Sequence, residues 1–580
     1  MPRNEITVRV AGEGGEGVIS TAEILTRSAV DAGLEVFTFR SYPAEIKGGL
    51  AMMQVRISVD PIHSIGRDTD ILMAFNQEAF DVWGARMSPG AVLLFDPKHC
   101  SVPEDYPFQR VEVPLHEIAM RESGARIAKN IVALAAMIGV LDMPPEPARA
   151  LIEKKFKRKG GDVVATNFKA FEAGYSVLRT DPRLKQLQLA PSRTGSRPDG
   201  RIVLSGNQAL SLGAIAGGCR FVAGYPITPA TQVLEFMMKH LPAFGGNVVQ
   251  AEDEIAAIAA CLGASYTGAK SMTATSGPGL CLMSELIGMA SISEIPVVVV
   301  DVMRSGPGTG MPTKTEQADL MFAMHGSSGE APRIVLAATS IEDCFHQAVN
   351  AFNLAERFQT PVILLSDQSM GYRTRTLSTP DLSGIRLDDR ATPTAAMLEN
   401  YNRFADTESG VSPVALPGMA NGMFVATGLE HDEAGAANYT PENRTRMVAK
   451  RFRKLDTLAG ELNAHGNGIL DDGGGADIGV IGWGSTEGPI AEALEKLRAQ
   501  GLKVAQLHPK VLNPLPIDAI GGFLAPLKKV VVFEENHTAQ FSKHLRSNVR
   551  ANGTEFVDVN QCTGLPFTSD EVYATLSEHV

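Results

Sequence analysis

Residues 296–310 read PVVVVDVMRSGPGTG. A proline opens the stretch, an almost unbroken β-branched run follows, and an arginine then leads into glycine and proline. That pattern specifies a strand buried on both faces and ending in a loop. PVILLSD at 361–367 repeats it. Strands of this kind belong to parallel sheets covered by helices, so the segments between them are crossovers. Working outward, FVAGY and SMTATS are further strands, alternating with helical segments. Residues 201–376 therefore read as one α/β domain.

The flanks follow the same logic. ITVRVAG, GEGGEG and VISTAEILTRSAVDAG form a strand, a glycine-rich turn and a helix, with EVFTFRSY as the next strand. This βαβ start makes residues 1–190 an α/β domain of their own. The polar, Pro/Gly/Ser-containing stretch at 191–200 reads as a linker. Residues 377–474 are irregular, with one helix expected around PENRTRMVAKRFRKLDTLAGEL. From 475 to 580, GVIGWGS, a helical segment, LKVAQLH and KKVVVFEEN give a last small α/β domain.

The totals exclude several classes. The chain has 580 residues and a formal charge of −12. An acidic balance argues against a nucleic-acid partner, since phosphate binding needs a basic face. No apolar run approaches the roughly 20 residues of a membrane span, and the N-terminus has no signal-peptide core, so a cytoplasmic location is expected. The six cysteines include no CxxC pair, so no metal or iron–sulfur site is expected from this chain.

Five features carry candidate chemistry. GEGGEGVIS at 12–20 is GxGGxG, not GxGxxG, and two glutamates beside a pyrophosphate would repel it; NAD is disfavoured there. In GYPITPATQ at 224–232, two prolines fix the loop around Thr228, either as an ordinary helix cap or as a hydroxyl preset for a ligand. Glu252, Asp253 and Glu254 stand before the uncharged run IAAIAACLGA. The helix dipole explains one or two of them. The run is apolar on every side, which implies a buried helix and a buried last acid. Arg304, at the C-terminal edge of its strand, is placed to grip a carboxylate, or to form a surface ion pair. TATSGPG at 273–279 is a strand-end turn with free amides; Lys47, Thr313 and Lys314 are weaker candidates.

Taken together, GYPITP, an acid on a small-residue helix, TSGPG and a strand ending in arginine resemble the α subunit of 2-oxoacid:ferredoxin oxidoreductases. GEGGEGVIS with YPAEIKGG resembles that family's γ subunit, fused in front, and GWGSTEG…LHPKVLNPLP…VVFEEN its transketolase C-terminal-like domain. The resemblance implies a γ-like Rossmann-type domain, a thiamine diphosphate pyrimidine-binding domain and a transketolase C-terminal-like domain. It also implies that Glu254 bonds the aminopyrimidine ring and is catalytic, with Glu252 as the alternative. Thr228 and Arg304 would hold the substrate carboxylate, and Tyr225, Pro226, Ile227, Ser276 and Gly277 would complete the cofactor site. The GPGTGMPTKTEQ loop and the fusion point to 2-oxoglutarate, oxidised to succinyl-CoA with coenzyme A as substrate and ferredoxin as acceptor. Pyruvate, branched-chain or aryl 2-oxo acids, a non-oxidative thiamine enzyme and a nucleotide-binding regulator are the alternatives. The chain lacks a GDG…N motif for magnesium and diphosphate. Mg and a [4Fe-4S] cluster are therefore expected on a β subunit, in an (αβ)2 assembly.

Overall fold

The computed structural model describes residues 2–43, 48–66, 68–198, 200–550 and 553–579; Lys47 lies outside them. Two compact units emerge, the first comprising 1–204 with 372–379 and 568–570, and the second the remainder.

The first unit is built on an eight-stranded sheet, ordered Gln109–Glu112, Met87–Phe95, Thr69–Ala74, Glu5–Glu13, Leu50–Ser58, Glu35–Ser41, Thr374–Ser378, Arg201–Ser205. The first four strands run parallel, and Leu50–Ser58 is antiparallel to both its neighbours. The expected βαβ start is therefore split, with an antiparallel strand inserted between its two strands. Helix Lys129–Val140 packs on Gly161–Arg179 through two glycines. A β-carbon on Gly139 would lie 2.6 Å from the Tyr175 carbonyl oxygen, and one on Gly174 2.6 Å from that of Val132. Arg201–Ser205, which the sequence suggests opens the second domain, instead lies at the edge of this first sheet beside Thr374–Ser378. Short edge strands carry too little pattern to declare which sheet they join.

The second unit contains a seven-stranded sheet, ordered Val511–Asn513, Ile334–Ala337, Pro361–Asp367, Val297–Met303, Ser271–Thr275, Phe221–Gly224, Asn247–Gln250. Every strand is parallel except Val511–Asn513. The quoted strand pairs in register with its twin, Val297 with Pro361 through Met303 with Asp367, and every residue of both is buried. At about 1.5–3 kcal/mol per fully buried large aliphatic side chain, this pair anchors the sheet. A five-stranded sheet follows, ordered Ile469–Asp471, Ala505–His508, Ile478–Ile481, Lys529–Glu534, Glu555–Asn560. Val511–Asn513, from the same C-terminal region, crosses to the seven-stranded sheet.

The irregular stretch before helix Pro441–His465 is pinned by buried charge. Arg390 forks onto Glu356 at 2.6 and 2.7 Å. Glu294 takes Lys450 and Lys454, each at 2.6 Å, while Arg403 donates to the Glu294 carbonyl at 2.8 Å. The three cations hold the Glu294 carboxyl far below the usual range, and burial brings Lys454 down to about 7.

Candidate active site

The strand ends of the seven-stranded sheet carry the site, as open α/β sheets dictate. Phe221–Gly224 runs into the loop of Tyr225, Pro226, Ile227 and Thr228, in which Tyr225 and Pro226 are exposed and Thr228 half-buried. The Thr228–Pro229 peptide is cis. Thr228 is not a helix cap: helix Thr231–His240 begins at Ala230, with no side-chain cap. Its hydroxyl has no partner among the described residues. The loop is held through its main chain instead. Arg304 Nη1 donates to the Thr228 carbonyl at 2.7 Å, and Asn207 Nδ2 to that of Pro229 at 3.1 Å.

The three adjacent acids separate cleanly. Glu252 is exposed, and Asp253 caps helix Glu254–Tyr266 by accepting from the Ala256 amide at 2.7 Å. Glu254 is buried, yet its carboxylate accepts no hydrogen bond among the described residues. It lies over the TSGPG turn. A β-carbon at Gly279 would sit 2.7 Å from Glu254 Oε1 and 2.0 Å from Thr275 Oγ1, so only glycine fits there. Ser276 Oγ, at the head of the same turn, is buried and unpartnered.

One expectation is corrected. Helix Glu254–Tyr266 is not buried all round: Ile255 is 47% exposed, and Ala256, Ala259 and Gly263 are exposed beside it. Uniform apolar composition does not say which chain covers a face.

Arg304 is buried, and that burial lowers its pKa against the opposing pull of Asp319 and Asp301. These two acids were not singled out in the sequence. Asp301 is fully buried in the strand before Arg304, and Asp319 ends the following loop. Asp319 also abuts the TSGPG turn, since a β-carbon on Gly277 would lie 2.8 Å from its Oδ2. The two carboxyls face each other closely enough that both being ionised at once is disfavoured. Burial, then the charge of Asp319, pushes Asp301 well up. Burial and Glu316 raise Asp319 to about 6. Only an acid at sheet-interior position 301, where the other residues are aliphatic, signals this pair.

The loop from Ser305 to Asp319 is tied to the C-terminal sheet through Gln317. Its Nε2 donates to the Trp483 carbonyl at 2.8 Å, and its Oε1 accepts from the Glu535 amide at 3.0 Å. GWGS thus serves as an anchor for the site loop. Thr313 is buried, and burial lowers the Lys314 pKa.

The six cysteines are all free. Among the described residues the one metal-capable cluster is Asp96, His99 and His116, in the first unit. No helix is long and apolar enough to cross a membrane among the residues searched.

The fold and this strand-end cluster agree with the resemblance to 2-oxo acid oxidoreductases read from the sequence. Residues 212–450 match the family model "Pyruvate flavodoxin/ferredoxin oxidoreductase, thiamine diP-bdg". Residues 7–177 match "Pyruvate ferredoxin/flavodoxin oxidoreductase", and 476–569 match "Pyruvate:ferredoxin oxidoreductase core domain II". The chain is 33% identical to the 2-oxoglutarate oxidoreductase subunit KorA of Mycobacterium tuberculosis, over 98% of this chain and 90% of that one. It is 31% identical to 2-oxoacid:ferredoxin oxidoreductase 2, subunit alpha, of Aeropyrum pernix, over 98% and 96%. A solved 2-oxoglutarate:ferredoxin oxidoreductase from Magnetococcus marinus, with 2-oxoglutarate, coenzyme A and succinyl-CoA bound, matches with a TM-score of 0.93 and 41% identity, covering 99% of both chains. The chain belongs to the α subunits of the 2-oxoacid:ferredoxin oxidoreductase family.

Proposed function

We propose that this chain is the α subunit of a 2-oxoglutarate:ferredoxin oxidoreductase, forming succinyl-CoA from 2-oxoglutarate and coenzyme A, reversibly with reduced ferredoxin. The observation that carries the reading is the buried, unpartnered Glu254 carboxylate at a strand edge that also bears Arg304 and the free Thr228 hydroxyl.

The residues present fit the pyrimidine end of thiamine diphosphate. A buried carboxylate and a buried serine hydroxyl, neither with a partner among the described residues and both beside a turn where only glycine fits, suit a polar ligand. When bound, thiamine diphosphate supplies the carbon nucleophile and the electron sink for decarboxylation. Glu254 would then accept a hydrogen bond from the aminopyrimidine and hold the ring in the tautomer that can take a proton. Tyr225, Pro226, Ile227, Ser276 and Gly277 would form the walls of that pocket. Arg304 and the Thr228 hydroxyl would hold the 2-oxo acid's carboxylate, with Lys314 a candidate for a second one.

A partner completes the site. Four separate site-bearing elements each present a large exposed apolar residue: Tyr225 at 41%, Ile255 at 47%, Leu282 at 51% and Met311 at 42%. Exposed apolar side chains on several site-bearing elements call for a covering chain. That chain is the β subunit, bringing Mg, the diphosphate grip and the [4Fe-4S] cluster, in an (αβ)2 assembly in the cytoplasm. The test is expression with and without the β subunit, followed by 2-oxoglutarate-dependent viologen reduction. The co-expressed complex should turn over 2-oxoglutarate well above pyruvate, and this chain alone should be inactive. Activity from the lone chain would refute the shared site, and equal rates on both acids the substrate assignment.

A further inference from the structure

The lack of a CxxC pair argues against thiolate-bound metal in this chain but is silent on imidazoles. Asp96, His99 and His116 gather at the C-terminal ends of neighbouring parallel strands in the first unit, with one ligand atom of each within 4.8 Å of the others. Cys100, next to His99, is buried and stands outside the set.

Sheet register makes this cluster. Strand Gln109–Glu112 runs parallel to Met87–Phe95, pairing Glu112 with Phe95, and the Val113 amide donates to the Phe95 carbonyl at 2.8 Å. The two strands end together, so His116 arrives beside Asp96 from 20 positions away. His99 returns by a tight turn. Its amide donates to the Asp96 carbonyl at 2.9 Å, and its ring lies against that of His116, centroids 4.0 Å apart.

Asp96 is held in place by the protein itself. Its carboxylate is buried and accepts from the amides of Lys98 at 3.1 Å and His116 at 2.9 Å. Oδ2 also faces His116 Nδ1 at 2.8 Å. With the proton on Nδ1, that bond orients the ring and leaves Nε2 a lone pair, the carboxylate–histidine arrangement of metal sites. Donors about 2.0–2.2 Å from a tetrahedral zinc sit about 3.4 Å from one another. The exposed His99 side chain can make that contraction. The nearby lysines are committed elsewhere, Lys129 to Glu16 at 2.7 Å and Lys98 to Glu117 at 4.0 Å.

We propose that Asp96, His99 and His116 bind a divalent transition-metal ion, with Zn2+ the best fit. Two imidazoles and one carboxylate select such a metal over Mg2+ and Ca2+, which take oxygen donors. The ion clips the loop after Met87–Phe95 to the start of helix Leu115–Ser123. Three protein donors leave one tetrahedral position open beside the exposed His99.

The test uses the full chain, stripped of metal and titrated with Zn2+ against a chromophoric chelator; Co2+ then reports the donor set. The parent should bind one equivalent, and excess Mg2+ should not displace it. Its cobalt form should show d–d bands without a sulfur-to-cobalt charge-transfer band. His99→Ala replaces an exposed side chain, so the metal-free variant should melt like the parent. It should nonetheless lose roughly tenfold or more in zinc affinity. Zn2+ should raise the melting temperature of the parent but not of the variant. No binding by the parent, equal affinity in parent and variant, or a charge-transfer band placing the metal on the exposed Cys281 or Cys562 overturns the proposal. Because binding is read on the chain itself, a complex inactive on 2-oxoglutarate would leave this result intact.

Discussion

Arg304 Nη1 donates to the main-chain carbonyl of Thr228 at 2.7 Å, joining residues 76 positions apart. The bond commits one arm of the guanidinium to holding the loop. It leaves Nε buried and unpartnered, and the Thr228 hydroxyl free. A single side chain thus sets the loop and keeps a donor for substrate. Lysine cannot do both, having one point charge where arginine has a planar fork. Arg304→Lys in the αβ complex should raise the KM for 2-oxoglutarate at least roughly tenfold while retaining the fold, and Arg304→Ala should lower kcat/KM roughly a hundredfold or more. Steady-state kinetics beside a thermal melt separate the two effects; a lysine variant with parental KM would assign Arg304 to the fold alone.

Glu254 and its neighbours allow an internal control. Positioned proton transfer contributes roughly 10²–10⁴-fold to a rate. Glu254→Gln should therefore lose about that much in kcat. It should not lose stability, because no protein donor is left behind. Glu252→Gln, at an exposed position, should be close to neutral. Asp253→Ala should cost about 1 kcal/mol of stability, the usual cost of a lost cap, with kcat little changed. Equal kcat in the Glu254→Gln and Glu252→Gln complexes would exclude the assignment.

The Asp301–Asp319 pair predicts a pH dependence. Asp319 has a raised folded-state value, about 6 against 3.8, set by burial and then by Glu316, with Arg304 and the contact to Asp301 opposing. A raised value means the native state prefers the protonated form. The associated stability is full below about pH 4 and is lost as pH rises through about 6. The new negative charge also falls beside Arg304. The KM for 2-oxoglutarate should therefore rise between pH 5 and 7 as the arginine is increasingly neutralised, by roughly a few-fold. Asp319→Asn, which keeps a partner for Asp301, should flatten both the KM profile and the melting profile over that window. A KM profile in Asp319→Asn that still rises as the parent's does would remove the pair from substrate binding.

How much of this was legible in the sequence depended on whether one chain's pattern sufficed. Val297–Met303 and Pro361–Asp367 declared themselves because burial on both faces leaves no polar residue except at their ends and at Asp301. Glu254 and Arg304 stood out because a charge bordering such a run needs a reason. Asp319 was not legible: its burial depends on contact with Asp301 and Gly277, which no local spacing encodes. Val511–Asn513 was not legible either, as three residues cannot say that they leave their own sheet. The Thr228 cap was a fair local reading, but the proline after it moved the helix start to Thr231.

The misjudged burial of helix Glu254–Tyr266 supplies the last prediction. Ile255 follows Glu254 directly, is 47% exposed, and heads a stripe with Ala256, Ala259 and Gly263. Small residues in such a stripe let another chain approach closely, and an exposed isoleucine at its head is a natural anchor for that contact. Because the side chain already meets water in the lone chain, Ile255→Asp should leave its melting temperature within a few degrees of the parent. In association it should behave very differently, placing an unpaired charge in an apolar contact at a cost of several kcal/mol. Co-purification of a tagged β subunit should fall sharply, and with it the viologen-reduction activity. Ile255→Leu should restore both. Undiminished co-purification of the Ile255→Asp chain would move the partner to another face of the molecule.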